Sequence, residues 1–209
     1  MRLFRSVALL ALAVLSSAAF AAPAGNAAAG KPLYGVCVAC HGVNGEGNQA
    51  MNAPRLAGQE AWYLTRQLTN YQQGIRGTGR GDIFGAQMKP MAATLRDAAA
   101  VANVVAHIGT LRAPPPRPVV RGDAARGRSL YATCAACHGP QGQGNVAMNA
   151  PKLKGENDWY MVTQLRNFRS GARGAHPRDT YGKQMAPMAK VLADDKAIND
   201  VVAYINTLR

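Results

Sequence analysis

Val101, Val104, Val105 and Ile108 are spaced i, i+3, i+4, i+7, and Ile198, Val201, Val202 and Ile205 repeat that spacing 97 residues later. Apolar positions in that rhythm line one face of an amphipathic helix. Asp97 and Asp194 stand near the two starts, where a carboxylate complements the helix dipole. Two further helices precede each of these: a segment running into a cysteine pair (31–40 and 128–137), then 60–73 and 157–170. No alternating strand pattern appears. Glycine-rich loops are expected between the second and third helices. The pattern therefore predicts an all-α chain with three main helices in each half.

The halves are copies of one unit. "CVACHGVNGEGNQAMNAPRLAGQEAWYLTRQL" at 37–68 aligns without a gap to "CAACHGPQGQGNVAMNAPKLKGENDWYMVTQL" at 134–165. The offset holds from Gly30, Leu33 and Tyr34 against Gly127, Leu130 and Tyr131, through to Thr110-Leu111-Arg112 against Thr207-Leu208-Arg209. Such rigid self-similarity marks a duplicated unit. Between the copies "APPPRPVV" predicts an extended, semi-rigid polyproline strut. The expected organisation is a first domain at 22–112, a linker at 113–120 and a second domain at 121–209.

The N-terminus adds a compartment. Arg2 and Arg5, an apolar run of about ten residues and small residues at Ala19 and Ala21 have the order of a secretory signal peptide, residues 1–21. The run is too short to span a bilayer, which takes roughly 20 residues. Export to an oxidising space makes disulfides the default use of cysteine. Yet the four cysteines, Cys37, Cys40, Cys134 and Cys137, fall in two identical contexts with no spare partner.

Each pair is spaced Cys-x-x-Cys and is followed directly by a histidine, His41 or His138. Three chemistries use such a pair: a redox disulfide, a zinc site, or covalent attachment of haem. The first asks for a strand-rich α/β context, and the second for convergence of both pairs. Haem attachment uses every residue, with two thiols bonding the porphyrin and the histidine ligating iron. It also suits a unit of about 90 residues with three helices, which is short of apolar core until a large prosthetic group fills it. Two covalently bound haem c groups are expected. A sixth iron ligand common to both copies cannot be histidine, because His107 aligns with Tyr204 and His176 with Gly79. Methionines do recur: Met88 and Met185, Met91 and Met188, Met51 and Met148. Any one of them can equally be core filler.

The doubled CxxCH, the "AP(R/K)L" segment, the "QMxPM" stretch and the terminal helix together resemble the two-haem cytochromes c4, within the class I cytochromes c. The resemblance covers essentially the whole mature chain. It implies two tandem cytochrome c domains, and it places the sixth ligand on a loop seven residues before a leucine near the last helix. Met88 to Leu95 and Met185 to Leu192 match that spacing, with Met91 and Met188 in reserve. It further implies that the carbonyls of Pro54 and Pro151 accept a hydrogen bond from the ligand histidines and fix their orientation. The family's serine or threonine at the start of the last helix is replaced by Arg96 and Ala193, which leaves the cap open.

With histidine and methionine on iron, a closed site passes electrons and binds oxygen or peroxide poorly. The expected function is a periplasmic, non-enzymatic electron carrier in a respiratory chain. Its donor would be a quinol-oxidising complex or a dehydrogenase, and its acceptor a haem–copper terminal oxidase. A second reading is the electron-accepting subunit of a periplasmic dehydrogenase, such as flavocytochrome c sulfide dehydrogenase. A dihaem peroxidase, needing a free sixth position, is a third. The formal charge of +13 falls to +11 without the leader, and to about +7 if four propionates ionise. That surplus would steer the chain toward acidic partners or peripheral contact with anionic lipid. Nucleic acid does not suit an exported protein. Arg76, Arg80 and Lys89, with Arg173, Arg178 and Lys183, are either a docking patch or soluble loop.

Overall fold

The computed structural model describes residues 25–208. The expected signal peptide lies outside them. Among the described residues each copy holds four α-helices: α1 Ala27–His41, α2 Ala61–Gln72, α3 Ile83–Ala93 and α4 Ala98–Thr110, then α5 Ala124–His138, α6 Asp158–Ser170, α7 Thr180–Lys190 and α8 Asp195–Ile205. Three of the four in each copy match the expected segments. The extra pair, α3 and α7, corrects the loop expected around Met88 and Met185. Asp82 and Asp179 cap them by accepting from the amides of Gly85 and Gly182. Their buried stripe is glycine and alanine (Gly85 and Ala92; Gly182 and Ala189), and each contains a proline. Small residues and a proline leave no apolar period to read.

Helix α1 crosses α4, and α5 crosses α8, at glycines. A Cβ at Gly30 would lie 1.9 Å from the carbonyl oxygen of Asn103, and one at Gly127 equally close to that of Asp200. Tyr34 and Tyr131 seal these crossings, each donating its hydroxyl to the residue after the CxxCH histidine, Gly42 or Gly139, at 2.8 Å. Tyr34 also packs on His107 with ring centroids 5.4 Å apart, as Tyr131 does on Tyr204. His107 is thus occupied in helix packing. The open cap resolves through the neighbouring residue: Asp97 and Asp194 accept from the amides of Ala100 and Ala197 at 2.7 Å.

The valines and isoleucines of α4 and α8 form the two cores. Residues 111–123 carry no helix or strand. The connector is tied at both ends instead. The Arg55 guanidinium donates to the carbonyls of Ala113 and Pro114, and buried Asp158 accepts from the amides of Val119 and Val120.

Candidate haem sites

Each CxxCH motif forms the last turn of a helix, α1 or α5. Helical spacing puts residues i and i+3 on adjacent positions, so both thiols face one cleft and the histidine follows at its floor. The first cleft is lined by Cys37, Cys40 and His41, faced by Met88 and Met91 of α3. The second is lined by Cys134, Cys137 and His138, faced by Met185 and Met188 of α7. Their volumes, open mouths included, are nearly equal at about 1320 and 1350 Å³.

His41 and His138 are buried, at 6% and 7% exposure. Each places Nδ1 2.7 Å from a proline carbonyl, Pro54 or Pro151. A carbonyl only accepts, so Nδ1 carries the proton and Nε2 keeps its lone pair. Burial pulls both imidazoles below their ordinary titration range, with the proline hydrogen bonds opposing. The result is a neutral, oriented imidazole with Nε2 available to a metal.

The thiols argue against a redox disulfide. Burial, reinforced by neighbouring Cys40, pushes Cys37 up to about 11. Cys134 also rises to about 11, through burial and Cys137. A reactive redox cysteine has a depressed value instead. Among the described residues no group of three or more His, Cys, Asp or Glu could hold a metal ion, which is the donor set a zinc site would need.

Neither cleft is closed by its own copy alone. Glu156, Tyr160, Thr163 and Gln164 of the second copy help line the first, and Gln59, Tyr63, Arg66, Gln67 and Asn70 of the first help line the second. The pseudo-twofold between them carries a symmetric polar cluster. Arg76 donates to Gln67 at 2.8 Å, Tyr160 at 2.9 Å and Gln164 at 3.0 Å. Its counterpart Arg173 donates to Gln164 at 2.9 Å, Tyr63 at 3.1 Å and Gln67 at 2.9 Å. Arg76 and Arg173 are 7% and 9% exposed, which removes them from any docking patch; Arg80, Lys89, Arg178 and Lys183 remain exposed. Sequence reasoning missed the interdomain role of Tyr63, Gln67 and their equivalents.

The donor set fits haem c. Two thiols and a preoriented imidazole converge on each cleft, and the buried Nε atoms of Arg66 and Arg76, which line the two clefts, have no partner in the protein. Unsatisfied cationic donors there suit the carboxylates of a bound porphyrin.

The cytochrome c family model matches residues 27–112 and 124–209, once on each copy. Cytochrome c4 of Azotobacter vinelandii is 35% identical over 94% of this chain and 96% of that one. The chain belongs to the dihaem cytochrome c4 family. The thiosulfate dehydrogenase electron acceptor of Thiomonas intermedia is 34% identical over 80% of this chain and 78% of its own length. Among solved structures, reduced recombinant cytochrome c4 from Pseudomonas stutzeri superposes with a TM-score of 0.69 at 30% identity, covering 89% of this chain and 100% of that one. As a member of this family the chain is an electron-transfer protein with two covalent haem c groups, one on Cys37 and Cys40 and the other on Cys134 and Cys137. Its partners are redox proteins.

Proposed function

We propose that this cytochrome c4 homologue is a periplasmic carrier taking single electrons from a quinol-oxidising complex or a dehydrogenase toward a haem–copper terminal oxidase. When bound, haem c supplies one reversible electron through its iron. His41 and His138 would hold its iron through Nε2. Met88 and Met185 would offer a thioether from α3 and α7, which favours the ferrous state. Met88 shares its helix face with buried Gly85 and Ala92, and Met185 shares its face with Gly182 and Ala189. Met91 and Met188 also line the clefts but are more exposed, at 42% and 41%, and Met51 and Met148 are half exposed. That difference in burial, with Met88 and Met185 the more covered of each pair, carries the ligand choice. A site closed on both sides moves electrons with little rearrangement.

Periplasmic placement rests on the leader-like residues 1–21, and no helix among the described residues is long and apolar enough to cross a membrane. Support for two domains, 22–112 and 121–209, joined by a connector at 113–120, comes from the helix-free stretch between Thr110, where α4 ends, and Ala124, where α5 begins. The second reading is an electron acceptor for a periplasmic dehydrogenase, supported by the comparable similarity to the Thiomonas intermedia acceptor.

Single Met88→Ala and Met185→Ala variants test the ligands. Each should lose low-spin character at one haem of two in the optical spectrum; an unchanged spectrum transfers ligation to Met91 or Met188. A carrier purifies alone, whereas a subunit co-purifies with its dehydrogenase.

A further inference from the structure

The peptide group between Pro54 and Arg55 has two partners. Its carbonyl accepts from His41, and its N–H donates at 2.6 Å to Oδ1 of Asn157 in the other copy. The equivalent peptide, between Pro151 and Lys152, bonds His138 through its carbonyl and donates its N–H at 2.8 Å to Oε2 of Glu60. Each imidazole is therefore backed, through one peptide, by a side chain from the opposite domain.

Asn157 and Glu60 occupy the N-cap positions of α6 and α2, yet neither side chain caps its own helix. Both are turned across the interface. Room is made for them by Gly47 and Gly144, whose φ values are +84° and +85°. A Cβ there would stand 2.6 Å from Asn157 Oδ1 and 3.0 Å from Glu60 Oε2. The arrangement is symmetric in geometry and unequal in charge. Asn157 is a neutral acceptor; Glu60 is a carboxylate, half-buried and in no ion pair among the described residues.

We infer that Glu60 and Asn157 are positioning residues that set the two histidine–iron sites apart, Glu60 making His138 a stronger donor than Asn157 makes His41. A hydrogen bond to an anion is roughly twice as strong as a neutral one, and bonds in series polarise one another. A carboxylate on the Lys152 amide puts more negative charge on the Pro151 oxygen. That oxygen pulls harder on the Nδ1 proton, and a more basic imidazole favours ferric iron. Within a shared scaffold the second site is thereby biased toward a lower potential. The inference rests on His41 and His138 being iron ligands.

Glu60→Gln keeps an acceptor for Lys152 and removes the charge, while Asn157→Asp adds one behind His41. Redox titration resolved by haem in NMR spectra reads both sites. The Glu60→Gln variant should raise the second midpoint while leaving the first in place. The expected size is about tenfold in the reduced-to-oxidised ratio at the original midpoint, or about 59 mV for one electron. The Nδ1–H resonance of His138 in the reduced protein should move upfield as its hydrogen bond weakens. Asn157→Asp should lower the first midpoint. Equal movement of both midpoints, movement of neither, or a moved midpoint with the Nδ1–H resonance unchanged overturns the inference. Failure of histidine ligation itself would show separately, as a missing low-spin spectrum in the unsubstituted protein.

Discussion

The two copies agree where they face the haems and diverge behind them. Glycine closes both helix crossings, tyrosine bridges both CxxCH turns, and proline holds both histidines. Away from the clefts the second copy has taken on buried charge and more apolar packing. Asp158 stands where the first copy has exposed Ala61, and Val162 is buried where Thr65 is exposed. Asp200, 1% exposed, replaces Asn103 and holds Arg126 and Lys196, each at 2.8 Å. Both Asn103 and Asp200 still accept the amide that starts their copy's first helix region, from Asn26 or Asp123 at 2.8 Å. The scaffold's backbone needs thus persist through the duplication, while the charge that meets them is free to change.

The sharpest break in that comparison is Asp158→Ala. It strips the acceptor from the amides of Val119, Val120 and Trp159 and from the Asn206 side chain, and a donor left unpaired costs about 1–3 kcal/mol where it is buried. A loss of roughly 3 kcal/mol overall corresponds to about 10 °C in the unfolding midpoint of a chain this size. Ala61→Gly in the first copy should cost far less, about 1 kcal/mol at most. Calorimetry of both variants checks the contrast. Equal costs would mean the anchoring of the connector contributes little.

The interface arginines should restore the symmetry. Arg76→Ala and Arg173→Ala each remove two bonds across the domains and one within a copy. About 2 kcal/mol for each is expected, equal to within about 0.5 kcal/mol. The double variant should fall short of the sum, because both guanidiniums share Gln67 and Gln164 as acceptors and pairs with common partners are not additive. Denaturant unfolding of the three variants reads this directly. Additive costs would show two independent clusters.

The cysteine pairs, the histidines, the duplication and the helix α4 and α8 faces were legible because each rests on local spacing. The spacing to Leu95 and Leu192 brought Met88 and Met185 forward, and the clefts are lined by these and by Met91 and Met188 alike. Helices α3 and α7 were not legible, since buried faces of glycine and alanine, with a proline inside each helix, erase the apolar period. The interdomain cluster was invisible for a different reason. Tyr63, Gln67 and Arg76 look like ordinary surface residues until the second copy covers them, and burial between domains leaves no periodic trace. From sequence alone Arg76 and Arg173 accordingly read as either a docking patch or soluble loop.

The smallest predicted difference concerns Glu156, which faces its own counterpart, Gln59, across the pseudo-twofold at 3.5 Å. Burial pushes its carboxyl up to about 7, against the Asn157 amide, the Gln59 side chain and the Arg55 and Lys152 charges. A carboxyl with a folded value above its unfolded one binds its proton more tightly in the folded chain. Stability should therefore fall as pH rises from about 4.5 to about 7, and level off above that. Glu156 keeps some contact with water, so screening limits the effect to about 1 kcal/mol. Thermal midpoints between pH 5 and pH 8 should slope downward in the unsubstituted protein and flatten in Glu156→Gln. Gln59→Glu should steepen the slope, because a second carboxyl would then sit against the first and like charges at that separation resist joint ionisation. An unaltered slope in both variants would place the crevice between the copies in water, and with it the polar cluster that joins them.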